Sequence, residues 1–342
     1  MNQIAISPGT ELEGLSAGDS PLQRIQRVLH NHPALGPFIV LAVSFVVFGL
    51  INSRFFSATN VSLMLQQVSV VAALGIAQTL VILTAGIDLS IGAAMILAQM
   101  LMAKLAADNH VAGPLAIVIG FGASMSTGAI LGILRTRFRL PPFIASLGML
   151  SILTSSGLLY SNGQSIQASQ MPHLLNWTGD FVNIGPFQLI NGVLLVLALY
   201  FLVGYMLDMT AWGRHVYAVG DDLDAARLAG IRTNLVLFSV WVFAGLLIGV
   251  AAWVSIGYTG AASPNNAAGN LNLQSIVAVV IGGTSLFGGR GGVFGTLFGA
   301  LIVVVFTSGL TLANVNDLYQ PIAEGVLVIA AVGVDQWIRG VK

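Results

Sequence analysis

Long apolar runs separated by short polar segments are the feature that most restricts how this chain folds. Of its 342 residues, 56% are hydrophobic and only 8% are charged, and the mean hydropathy is +0.88. Soluble domains carry about 25% charged residues, so this composition places the chain in lipid. One helix needs about 20 apolar residues to cross a bilayer, and we predict an all-α membrane protein with about ten such helices. The predicted spans are residues 36–52, 61–84, 90–107, 113–134, 142–160, 191–209, 235–257, 273–287, 293–313 and 320–338.

Composition also excludes several function classes. The formal net charge is zero, which argues against nucleic acid as a partner. The chain has no cysteine, and it lacks the HExxH, GxSxG and GxxxxGK[ST] motifs of zinc proteases, serine hydrolases and phosphate-binding loops. We therefore expect neither an enzyme nor a chain that binds a cofactor or metal of its own. The five histidines are scattered over tails and loops: His30, His32, His110, His173 and His215.

The distribution of basic residues predicts the orientation. With the N-terminus placed in the cytoplasm, 11 of the 13 Lys and Arg residues fall in inner connections or tails. Only Arg54 and Lys104 fall outside. The positive-inside rule therefore predicts both termini in the cytoplasm.

The first 35 residues form a region of their own. Residues 1–20 are polar and contain acids, unlike a secretory signal. Ser20 and Pro21 are suited to the start of a helix, and the apolar residues that follow share one face, which predicts a short helix in the membrane interface. We expect residues 1–35 to be a cytoplasmic tail and residues 36–340 a single transmembrane domain.

The segment Gly213–Thr233 is unusually polar and lies between two predicted spans, on the cytoplasmic side. Its sequence predicts a short helix near residues 221–230, capped by Asp221 or Asp222 and ended by Gly230. Two interpretations remain open: a solvated loop, or a helix that docks into a groove of another protein. If the segment is a docking helix, its small alanines let the partner protein approach closely. Substitutions such as Ala225→Glu or Ala226→Arg should then abolish transport. The expected docking residues are Asp221, Asp222, Ala225, Ala226, Arg227, Gly230 and Ile231.

Polar residues within predicted spans are candidates for a translocation path. Asp88 lies between two apolar runs, where a buried acid is costly and often functional. It is also well placed to cap the next helix, and glutamines between spans often bond neighbouring helices. The candidates are Asp88, Ser90, Gln78, Gln99 and Glu324.

Glycines predict one close helix contact. Gly295 and Gly299 have GxxxG spacing, which lets helix backbones approach in lipid. Gly288 to Gly292 predict a tight turn. The longest external connections, residues 161–190 and 258–272, are polar and would contact a partner, cover an opening or form ordinary loops.

Four segments resemble one family. GIDLSIG (86–92), GRHVYAVGDDLDAARLAGI (213–231), the glycine-rich block 262–303 and DQWIR (335–339) are similar to membrane permeases of bacterial ribose-, xylose- and fructose-type ABC importers. The resemblance covers about residues 36–340, and GRHVYAVGDD is most similar to the fructose type. An acid is frequent in that family near Asn272 or Gln274, so a role that needs the acid is in doubt here.

The resemblance implies an inner-membrane permease with the ABC importer permease fold. It would work as a homodimer with two cytoplasmic ATPase subunits, which bind ATP and magnesium, and with a periplasmic sugar-binding protein. Residues 222–231 would be the coupling helix that docks into the ATPase. Arg54 is the only arginine on the predicted outer side, and for that reason we expect it to pair with an acid of the binding protein. The expected function is import of a monosaccharide by alternating access. The alternatives are the same architecture for a branched-chain amino acid or a furanosyl signal molecule, and a secondary transporter without ATPase.

Overall fold

The computed structural model describes residues 35–264, 268–323, 325, 326, 329 and 333, and the fold of these residues is mainly helical. The predicted tail with its interfacial helix, and Glu324, lie outside the described residues. The α-helices are α1 (Leu35–Ile51), α2 (Ala58–Leu83), α3 (Ile91–Ala107), α4 (Gly113–Thr136), α5 (Pro142–Ser161), α6 (His173–Asn176), α7 (Asn191–Met209), α8 (Ala211–Asp221), α9 (Leu223–Leu228), α10 (Thr233–Thr259), α11 (Ala268–Ile281) and α12 (Val293–Leu312).

The apolar helices follow the predicted spans closely. Six of those described, α2, α4, α5, α7, α10 and α12, are long and apolar enough to cross a membrane, while α1, α3 and α11 are apolar but shorter. Together they correspond to the first nine predicted spans. In the region of the tenth, residues 320–323, 325, 326, 329 and 333 are helical. Ten spans therefore remain a prediction.

Helix α2 is the centre of the bundle. From Val68 to Leu83 it is buried almost without interruption, and α7, α10, α11 and α12 pack around it. Helices α1 and α5 instead expose large apolar side chains such as Phe38 and Ile144, as expected of lipid-facing helices. The protein interior and the lipid are both apolar, so hydropathy alone does not distinguish these two kinds of helix.

Small residues set the closest contacts between helices. A Cβ added to Gly128 of α4 would lie 2.2 Å from the carbonyl oxygen of Trp241 in α10. Likewise a Cβ on Gly299 of α12 would lie 1.8 Å from the carbonyl oxygen of Ala278 in α11, and Gly295 approaches Gly282 as closely. Such backbone contact is a main source of attraction between helices in lipid.

The two long polar connections contain short strands, which the all-helical prediction missed. Strands β2 (Phe181–Ile184) and β3 (Phe187–Ile190) form an antiparallel hairpin around Gly185, whose φ is 59°. Strand β1 (Ile166–Gln167) pairs with β4 (Ala261–Ala262) and joins the two connections. We call this side the hairpin end and the opposite side the α8–α9 end.

The predicted span 273–287 is wrong at both boundaries, because α11 is Ala268–Ile281. The helix ends where Gly283 takes a φ of 83° and Thr284 donates its N–H back to the carbonyl of Val279. A left-handed glycine is a common helix terminus. The apolar residues beyond it, which extended the predicted span, belong to the loop before α12.

Candidate functional site

Helices α8 and α9 form a polar two-helix element at one end of the bundle. Asp222 links them, since its N–H closes α8 on the carbonyl of Ala218 while its side chain caps α9. The carboxylate accepts hydrogen bonds from the N–H groups of Asp224 and Ala225, each at 2.9 Å. This is the usual N-cap arrangement. Of the two capping candidates in the sequence, Asp222 is the one that caps.

The two alanines of α9 face opposite environments. Ala226 is buried against its own chain, whereas Ala225 is exposed. Leu228, two residues beyond Ala226 and therefore on the far side of the helix, is 90% exposed. The free face of α9 is thus formed around Ala225 and Leu228, and Ala226 anchors the helix from beneath.

The other docking candidates surround this face. Arg227 lies 3.6 Å from the Asp224 carboxylate, and both side chains are well exposed, so the pair contributes little to stability. Gly230 has a φ of 84° and ends the helix, and the N–H of Ile231 donates to the carbonyl of Ala226. Asp221 is exposed and Ile231 is half-buried.

The end of α8 is in close contact with two other segments, an arrangement that we call the three-way junction (Leu83–Ala85, Gly220–Asp221 and Gly288–Gly289). A Cβ on Gly220 would lie 1.8 Å from the carbonyl oxygen of Leu83 at the end of α2. The N–H of Gly289 donates to the same carbonyl at 3.0 Å, and Gly288 approaches both Gly220 and Ala85. The end of α8, the end of the central helix and the glycine-rich loop are therefore in direct backbone contact.

Tyr217 fixes α8 to that loop. Its hydroxyl donates to the carbonyl oxygen of Gly291 at 2.9 Å. Burial raises the pKa of Tyr217 to about 12, and the negative charge of Asp208 adds to this. The hydroxyl therefore stays protonated at physiological pH and remains a donor.

Asp88 lies in the break between α2 and α3. Its Oδ1 accepts hydrogen bonds from the N–H and the hydroxyl of Ser90, at 2.7 and 2.6 Å. The side chain is buried, and its observed contacts are those of a residue that shapes the start of α3. The structure thus brings Asp88 and Ser90 together.

The glutamines of the predicted path lie on two helices. Gln78, on α2, is fully buried, and neither polar atom of its amide has a hydrogen-bond partner in the described part of the chain. Gln99, on α3, donates to the carbonyl oxygen of Ser263 at 3.0 Å. Among the described residues, no group of three or more His, Asp or Glu side chains is arranged to hold a metal ion.

Arg54 lies at the hairpin end. It belongs to a 3₁₀ turn (Ser53–Phe56) between α1 and α2, and its side chain is exposed. The turn is held by Asn52, which accepts from the N–H of Arg54 and donates to the carbonyl of Leu312. A guanidinium at this position is accessible from outside the bundle.

Leu228 and Gly220 were missed at the sequence level, and Asn272 was noted there only as a position near which the family often has an acid. Leu228 is the one large apolar residue of α9 that is almost wholly exposed, and its spacing from Ala225 was an available signal. Gly220 and Asn272 gain their importance from contacts with residues distant in sequence, which local patterns do not reveal.

Comparison with known proteins is consistent with this architecture. Residues 60–332 match the family described as branched-chain amino acid transport system / permease component. The fructose import permease protein FrcC of Rhizobium meliloti is 44% identical over 345 residues, covering 99% of this chain and 95% of that protein. The ribose import permease protein RbsC of Escherichia coli K12 is 34% identical over 300 residues, covering 87% and 92%.

The D-allose transport system permease protein AlsC of Escherichia coli K12 is 33% identical over 307 residues, covering 89% of this chain and 91% of that protein. No solved structure matches the chain. The family match spans most of the chain and the relatives are matched over nearly their whole length. The chain therefore belongs to this family of transport-system permeases and is a multi-pass membrane permease of a bacterial ABC importer, a transport subunit and not an enzyme.

Proposed function

We propose that this permease imports a monosaccharide across the inner membrane, driven by ATP hydrolysis in partner subunits. The relatives named above are permeases for fructose, ribose and allose, and the fructose permease is similar over almost the entire chain. Fructose is therefore the first sugar to test. The observation that carries the proposal is the polar α8–α9 element, joined through Gly220 to the central helix of a chain without a nucleotide motif.

In this proposal the chain crosses the membrane ten times with both termini in the cytoplasm, and residues 36–340 form the transmembrane domain. The α8–α9 end then faces the cytoplasm and the hairpin end faces the periplasm. Two copies form the permease, two ATPase subunits bind ATP and magnesium beneath it, and a sugar-binding protein delivers sugar from outside. The distribution of basic residues supports this orientation.

The ATPase would act on the permease through α9. Its free face around Ala225 and Leu228 is suited to a groove, since an amphipathic helix docks through a few apolar anchors. Motion of α8 would be passed to α2 through the three-way junction, and the helices would rock between outward-open and inward-open states. This is alternating access by rigid-body movement.

Uptake by reconstituted vesicles tests the function. Permease, ATPase and binding protein are assembled in vesicles, and labelled D-fructose, D-ribose and D-allose are supplied with and without ATP. We expect uptake of one of these sugars only when ATP and the binding protein are present. Uptake without ATP would instead identify a secondary transporter.

The family description favours a second candidate, a branched-chain amino acid. Labelled leucine, isoleucine and valine in the same vesicles test it directly. Uptake of these and of none of the sugars would replace the sugar proposal, as would uptake of a furanosyl signal molecule.

Arg54 provides a test of the external partner. The exposed guanidinium is placed to attract an acid of the binding protein, because rim charges steer association. We expect Arg54→Glu to weaken docking about tenfold at low salt, with a smaller effect at high salt, and Arg54→Gln to weaken it less. Binding of the isolated binding protein to permease in nanodiscs measures this. An equal affinity for all three proteins at low salt would exclude the contact.

A further inference from the structure

The seam where α3 meets α11 and the segment just before α11, called here the α3–α11 seam, holds two buried amides whose hydrogen bonding is incomplete. Asn272 of α11 is 4% exposed, and its Oδ1 accepts a hydrogen bond from the backbone N–H of Gly92. Gln99 of α3 is fully buried, and its Nε2 donates to the carbonyl oxygen of Ser263. Within residues 35–264 and 268–323, Asn272 Nδ2 and Gln99 Oε1 have no hydrogen-bond partner. We call them the open donor and the open acceptor.

The hydrogen-bond partners of Asn272 and Gln99 determine which atom of each side-chain amide is the oxygen and which is the nitrogen. A backbone N–H can only donate, so the atom of Asn272 that meets Gly92 must be the oxygen. A backbone carbonyl can only accept, so Gln99 must present its nitrogen to Ser263. The open donor and the open acceptor therefore follow from the contacts already made.

Both positions lie along one face of α3. Gly92 and Gln99 are seven residues apart, which is close to two helical turns, so they share a face about 10 Å apart along the axis. Asn272 lies opposite the first position and Ser263 opposite the second. The seam thus presents a donor and, further toward the hairpin end, an acceptor.

The Asn272 end of the seam lies inside the bundle, at the level where α3 begins. Asn272 is nine residues before the end of α11, or about 14 Å from that end of the helix. It meets the N-terminus of α3, where the first N–H groups of a helix have no partner within that helix. In secondary transporters, helix termini that lie within the membrane often form the substrate site.

Unpaired polar atoms are costly in an apolar interior, and native proteins contain few of them. A sugar hydroxyl both donates and accepts, so it can pair with either the open donor or the open acceptor. A neutral polyhydroxyl molecule suits this seam better than an ion, since the two amides carry no charge.

We propose, on the basis of the monosaccharide import proposed above, that the sugar passes along the α3–α11 seam. Its hydroxyl groups bind first to Gln99 Oε1 and then to Asn272 Nδ2. The two amides set the preference for a hydroxylated solute within the membrane.

Asn272→Asp tests the open donor. The aspartate keeps an oxygen for the Gly92 N–H and carries negative charge to a helix N-terminus, where the helix dipole favours it. It replaces the open donor by an acceptor. We expect the number of sugars transported per ATP hydrolysed to fall about tenfold, which corresponds to the loss of one hydrogen bond. The melting temperature of the complex is measured in parallel, because a buried carboxylate is costly to stability.

Asn270→Asp is the matched control, because it makes the same change at an exposed position of the same helix. Gln99→Met, of similar size without polar atoms, tests the open acceptor if Asn272→Asp lowers the melting temperature. Each variant is measured in vesicles with labelled D-fructose, D-ribose and D-allose. Normal transport per ATP by stable Asn272→Asp and by Gln99→Met would overturn the inference. If the wild-type complex transports none of these sugars, the proposed function itself is wrong and the inference falls with it.

Discussion

Replacing Leu228 with aspartate should release the ATPase from the permease and reduce transport at least 30-fold. Leu228 is the large apolar side chain on the free face of α9, is 90% exposed, and is the best candidate for an anchor residue in a groove. Loss of a central interface anchor costs about 2 kcal/mol or more, and 2 kcal/mol corresponds to about a 30-fold change in affinity. Ala225→Glu, one turn earlier, should act in the same direction because the groove must then accept a charge.

Leu228→Met is the matched control, since it preserves apolar volume and should retain the ATPase. Co-purification of the ATPase and ATP-dependent uptake are the two measurements, with membrane insertion checked separately. Full association of the Leu228→Asp permease with the ATPase would show that α9 is exposed to solvent and does not dock. Ala226→Arg is less informative, because Ala226 is buried against its own chain and the substitution would disturb the permease itself.

Replacing Gly220 with valine should disconnect the α8–α9 element from the central helix. Even a single Cβ at this position would lie 1.8 Å from the carbonyl oxygen of Leu83 and 2.7 Å from the nitrogen of Gly289. Both are backbone atoms, so a side chain cannot move aside to make room, and overpacking typically costs about 1–3 kcal/mol. We expect a melting temperature lower by several degrees and transport per ATP reduced at least tenfold.

Gly148→Val is the matched control. Gly148 is also a helical glycine, but a Cβ added there would meet nothing within 4 Å. The control should therefore resemble the wild type in melting temperature and in transport per ATP. Wild-type behaviour of Gly220→Val would show that the three-way junction does not transmit movement.

Much of the fold was predictable because lipid imposes simple rules. A span must be long, apolar and helical, and the predicted span 191–209 coincides with α7. The span 273–287 failed because two glycines end α11, while the apolar residues after them resemble a continuing helix. The β2–β3 hairpin was missed because its eight strand residues lie within a long polar connection whose glycine and proline also fit an irregular loop.

The candidate site was predictable in part. A cap at Asp221 or Asp222 and the end at Gly230 follow from local chemistry, which short segments carry in their own sequence, but the choice of Asp222 over Asp221 does not. Local chemistry does not reveal which alanine of α9 faces inward, because the rotation of a six-residue helix is decided by the helices that it packs against. The same limit applies to Asn272, whose contact with Gly92 joins residues 180 positions apart.

Helix α2 is held at both extremes of its length. At one extreme Gln66 donates to the carbonyl of Gln188 in the β2–β3 hairpin, and Ser62 accepts from the N–H of the same residue. At the other, Leu83 accepts from Gly289 and touches Gly220. If α2 moves as a rigid body, the binding protein proposed at the hairpin end and the ATPase proposed at the α8–α9 end are linked through a single helix, and their steps can be synchronised without a longer chain of contacts.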